Sequence, residues 1–116
     1  MSQSFDPKRI ILEKIKKSGG WVNCHSHIDR AFTISPKLYM LANKLRHEKW
    51  LLNANLRKTC TVSQIYDRMA KSLELMIAQG VSAIGSFIDV DPHIKDKAIQ
   101  AAQRVREKYN SQIFIK

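Results

Sequence analysis

Apolar residues recur at helical spacing in several stretches of the chain, and short apolar runs between them read as strands. Ile10, Ile11, Leu12 and Ile15 form the first amphipathic stretch, with Lys14, Lys16 and Lys17 on its polar side. Asp6-Pro7 supplies its start, with Asp as N-cap and Pro at the first helical position. The helix should run to about Lys17 and stop at Gly19-Gly20. Ser35-Pro36 is a second cap-and-proline signal, opening a segment with Leu38, Leu41 and Leu45 that reads as a short helix in a long connection. Thr61-Val62-Ser63-Gln64 fits a capping box. The helix after it places Ile65, Met69, Leu73, Met76 and Ile77 on one stripe, and Gly80 ends it. Asp91-Pro92 should cap a last long helix with Ile94, Ala98, Ala101, Ala102 and Val105 inside and Lys95, Lys97, Arg104 and Lys108 outside.

Three runs read as strands: residues 21–27, residues 81–90 (VSAIGSFIDV) and residues 113–115. Strands alternating with helices predict an α/β fold with parallel strands in β-α-β units. Three parallel strands leave two open edges. The 116 residues make one domain at most. A complete eight-stranded α/β barrel needs roughly 250 residues and is excluded. No apolar run approaches the ~20 residues of a membrane span. The polar N-terminus lacks a signal-peptide core, and Cys24 and Cys60 are too few for a disulfide scaffold. A cytoplasmic protein with reduced thiols is expected.

The net charge of +10 is uneven, because residues 1–58 hold 12 of the 20 Lys and Arg against 4 acids. A basic half suits a polyanion footprint, but the chain has no RNP-like aromatic motif, Gly/Arg repeat or zinc-finger spacing. A small basic nucleic-acid-binding or interaction module without catalysis is therefore the alternative reading.

The sharpest chemistry is His25-Ser26-His27, followed by Ile28-Asp29. Strand side chains alternate faces, so the two imidazoles should stand side by side at the strand's C-terminal end. Neutral imidazoles so placed can share one divalent metal ion, and α/β folds build their sites at that end of the strands. Trp21 and Asn23 should share the histidine face, with Val22, Cys24 and Ser26 on the other. Cys24 reads as a small buried hydrophobe, Cys60 as a thiol without a partner, and His47 and His93 as solvated polar residues.

Residues 20–29 (GWVNCHSHID) resemble the first barrel strand of the amidohydrolase superfamily, G-[hydrophobic]-[VI]-[ND]-x-H-x-H-x-[DE]. Arg30-Ala31-Phe32-Thr33 is similar to the cytosine-deaminase-like branch. So are the downstream helix ending LMIAQG, the strand ending IDVDP and the helix closing REKY. The resemblance covers about residues 19–116, after an N-terminal amphipathic helix over residues 1–18. It implies the first three strands of a (β/α)8 TIM-type barrel, incomplete as a single partial domain. It also implies a metal-dependent hydrolase of C–N bonds, such as a deaminase, acting on a nitrogen heterocycle or an amide. By that resemblance His25 and His27 are metal ligands, for zinc or iron, and the family's later ligands and its strand-eight aspartate lie beyond the third strand. The chain alone should be inactive and should need the missing barrel portion or another copy of itself. Ser86-Phe87-Ile88-Asp89 stands where this branch often reads Thr-His-Val-Asp. Phe87 thus puts a hydrophobic ring at a substrate-side position, and Asp89 is either a site acid or a cap at the strand-to-helix turn. The rival H-x-H-x-D-H metallo-β-lactamase-like motif fails at its last position, where Arg30 stands.

Overall fold

A computed structural model describes residues 5–36 and 46–116 of the protein. Among them lie four α-helices and three strands: α1 (Pro7–Lys17), β1 (Trp21–Ser26), α2 (Arg46–Thr59), α3 (Val62–Ala78), β2 (Val81–Ser86), α4 (Lys97–Tyr109) and β3 (Phe114–Ile115), with a 3₁₀ turn at Ile28–Arg30. The three strands form an open parallel sheet in the order β1-β2-β3. The short helix expected after Ser35-Pro36 falls almost wholly outside the described residues.

The cap signals act as expected at two helices. The Asp6 carboxylate accepts the Arg9 N–H at 3.2 Å. At α3, Thr61 Oγ1 accepts the Gln64 N–H at 3.1 Å while Gln64 Oε1 accepts the Thr61 N–H at 2.9 Å. The last helix departs from expectation. Asp91 Oδ1 accepts the N–H groups of His93 (2.7 Å) and Ile94 (3.0 Å), so it does cap a turn. Lys95 then takes φ +55°, a left-handed conformation that helix cannot continue through. The helix restarts at Lys97 with Asp96 at its N-cap.

One face of the sheet is packed. Ile65, Met69 and Leu73 of α3 meet Ala98, Ala101, Val105 and Tyr109 of α4 over Ile84 of β2, with Ile28 and Ile113 at the margins. Each large side chain buried here contributes about 1.5–3 kcal/mol. Neither α1 nor α2 buries a residue. Lys97 fastens α2 instead, with its ammonium donating to the carbonyls of Arg57 (2.9 Å), Lys58 (3.0 Å) and Cys60 (2.8 Å) at the negative end of that helix. Cys60 itself is buried.

The other face of the sheet is uncovered among the described residues. Val22 pairs with Ala83, which pairs with Phe114, and both Val22 and Phe114 are 63% exposed. Asn23 pairs with the buried Ile84. Strict alternation from Trp21 to His27 is therefore not kept, because the pairing slips between Trp21 and Val22 and again between Asn23 and Ser26. Cys24 is exposed rather than buried, since β1 is an edge strand with this open face beside it. β2 stops at Ser86, four residues short of the expected run, and β3 is only two residues long. No described helix is long and apolar enough to cross a membrane.

Candidate metal centre

Gly20 delivers the chain into β1. It adopts φ +84°, and a Cβ there would lie 2.7 Å from Ser82 Cβ and 2.8 Å from the Gly80 carbonyl oxygen. Only glycine lets the loop press this closely on the start of β2. Six residues on, β1 ends at Ser26 and its C-terminal end is stitched to that of β2. Ser26 Oγ donates to the Gly85 carbonyl at 2.9 Å. Ser86 Oγ accepts the Ile28 N–H at 3.2 Å. The Phe87 N–H donates to the Ser26 carbonyl at 2.9 Å.

This stitching sets the geometry around the histidines. The rings of His25 and His27 lie edge to face with centroids 5.3 Å apart. Phe87 lies 5.0 Å from His25 and 5.7 Å from His27. All three residues are exposed. Two imidazole nitrogens roughly 2.0–2.1 Å from a tetrahedral zinc ion would place the ring centres about 5.2 Å apart, so the observed spacing fits two ligands of one ion. Among the described residues no group of three His, Cys, Asp or Glu side chains is placed to hold an ion.

The acids that follow the two strands are bonded into the turns beyond them. Asp29 is buried, and its Oδ2 accepts the Asp89 N–H at 3.0 Å. Asp89 Oδ2 accepts the Arg30 Nε–H at 2.5 Å and pairs with Arg57 at 3.2 Å. Arg57 also pairs with Asp91. Asp89 is thus the centre of an ionic link between the end of α2 and the segments that follow β1 and β2; the cap at this turn is Asp91. The Ile94 N–H bonded to Asp91 holds its carboxyl below the ordinary range, helped by the His93 N–H and Arg57 and opposed by burial. His47 and His93 are exposed, as expected.

No family model matches the chain. It is 44% identical over 110 residues to an uncharacterized protein of Haemophilus influenzae (strain ATCC 51907 / DSM 11121 / KW20 / Rd). The match covers 94% of this chain. The chain spans only 40% of the length of that curated relative.

Three residues of this region have roles that escape a reading of the sequence alone. Asp29 is visible as the motif's closing acid, but its bond to the Asp89 N–H, which clamps the strand ends together, is not. Arg57 and Lys97 carry no local signal, because their partners lie 32 or more positions away in the chain.

Proposed function

We propose that this chain is the opening part of a metal-dependent hydrolase of C–N bonds, built on a (β/α)8 barrel of the amidohydrolase type and closest to its cytosine-deaminase-like branch. His25 and His27 are two ligands of its divalent metal, zinc or iron. The observation that carries the reading is the imidazole pair, 5.3 Å apart at the C-terminal end of a parallel strand. That is where folds with parallel strands gather their chemistry. The relative's size supports the reading: 110 residues are 40% of it, so it has roughly 275 residues, enough for a complete barrel.

In this reading the chain's residues divide the work. His25 and His27 bind through neutral nitrogens. Phe87 keeps water from one flank of the two rings. Asp29 fixes the end of β1 against that of β2, and Asp89, held between Arg30 and Arg57, keeps the following loops in place. When bound, the metal lowers the pKa of a water molecule and makes it a nucleophile at neutral pH. The substrate is a small nitrogen heterocycle or amide. The remaining ligands and the substrate-reading loops come from polypeptide beyond the third strand or from a second copy, and the chain by itself is inactive. Two free thiols suit a cytoplasmic protein.

The test is a chimaera in which this chain replaces the matched 110 residues of the Haemophilus influenzae relative, assayed for ammonia release from cyclic amidines and amides. Activity that disappears on chelation and in His25→Ala and His27→Ala supports the reading. Activity indifferent to both histidines, or none across the panel with metal added, contradicts it.

A further inference from the structure

We propose that Phe87 is a positioning residue for the imidazole pair, holding His25 and His27 at a separation ready for metal while occupying the corner where a third ligand would stand. The inference rests on the reading of the two histidines as metal ligands.

Three ring centroids at 5.0, 5.3 and 5.7 Å make a nearly equilateral triangle. The backbone centres Phe87 on the pair, because its N–H bonds the carbonyl of Ser26, the residue between the two histidines. Catalytic zinc sites commonly use three protein ligands, and a metal-bound histidine is ordinarily held by a hydrogen bond from its second ring nitrogen. Here, among the described residues, neither imidazole makes a side-chain hydrogen bond, and the contacts that orient both rings are with each other and with Phe87. A phenyl ring has no lone pair to donate. Phe87 therefore orients the pair, blocks one flank, and leaves the remaining coordination positions to groups from elsewhere. Phe87 is itself 58% exposed, so the pair stays open to solvent on the flanks that its ring does not cover.

The experiment titrates the 116-residue chain with Co2+ and follows the visible absorption of the bound ion, with circular dichroism verifying the fold of each variant. With its two imidazoles alone the parent should bind one ion loosely, and His25→Ala should not bind over the same range of Co2+. Phe87→Ala should weaken binding by about tenfold or more, the size of loss seen when groups that orient metal ligands are removed. Phe87→Tyr, which keeps the ring, should restore it. Phe87→His should bind about tenfold more tightly than the parent and change the absorption envelope, since a third nitrogen enters the set. In the metal-free chain, Phe87→Ala should shift the imidazole C–H resonances by removing the neighbouring ring current. If the parent binds and His25→Ala does not, but Phe87→Ala and Phe87→His both match the parent, the positioning role is wrong and the metal reading stands. If the parent binds nothing, or His25→Ala binds as well as the parent, the metal reading fails and this inference goes with it.

Discussion

The backbone N–H of Asp89 donates to the buried carboxylate of Asp29 at 3.0 Å, across 60 positions of sequence. This bond ties the segment after β2 to the segment after β1, immediately beyond the histidines. The second carboxylate oxygen of Asp29 is buried and has no hydrogen-bond partner among the described residues. Asp29→Ala would strand the Asp89 N–H and should cost about 1–3 kcal/mol, the penalty for an unsatisfied buried donor. Asp29→Asn keeps an acceptor oxygen in place and should cost less. Urea unfolding of the two variants checks the order, and an Asp29→Ala as stable as Asp29→Asn would show that the bond ties nothing.

Asp91 gives the turn after β2 a dependence on pH. Its folded-state carboxyl titrates below the ordinary value of 3.8, chiefly because the Ile94 N–H bonds the charged form. A depressed carboxyl stabilises the fold fully above its unfolded value, and the stabilisation fades as pH falls through the folded one. Asp91→Asn keeps the capping oxygen but loses its charge, and should therefore cost about 1 kcal/mol at neutral pH, the difference between charged and neutral hydrogen bonds. The gap to the parent should close progressively below pH 3.8. A gap of constant size down to acid pH would mean that the carboxylate charge is irrelevant to this turn.

Gly19 and Gly20 are neighbours with positive φ, +97° and +84°, yet they should respond differently to alanine. At Gly19 a Cβ would meet nothing within 4 Å. Gly19→Ala should cost only the left-handed strain of about 1–2 kcal/mol. At Gly20 the new carbon would press on Ser82 and on the Gly80 carbonyl. Gly20→Ala should cost about 2–4 kcal/mol, strain and overpacking together. Thermal melts of both variants decide the matter, and equal shifts would disprove the close approach of the two strand entries.

Legibility in the sequence followed distance along the chain. Asp6-Pro7 and Thr61 with Gln64 announced their helices because capping bonds span three residues. The parallel alternation of strands and helices, and the side-by-side histidines, came from periodicity alone. Boundaries were harder. Lys95 in a left-handed conformation broke a pattern that read as continuous helix, and no residue type there signals it. Two register slips in β1 turned Val22 to the open face and set Asn23 beside Ile84. Cys24 read as buried because six residues of strand do not say whether β1 lies inside the sheet or at one of its open edges. The meeting of Phe87 with both imidazoles, and of Asp89 with Arg30 and Arg57, depends on β1–β2 register and on how α2 docks. A single sequence does not encode such pairings locally.

The central claim is that His25 and His27 hold a divalent metal together, and calorimetric titration of the purified chain with Zn2+ tests it most directly. Two neighbouring imidazoles without the remaining ligands should hold one zinc ion per chain loosely, with binding lost in His25→Ala and equally in His27→Ala while both variants stay folded. A chain that takes up no zinc, or one whose binding survives both substitutions, would contradict the claim.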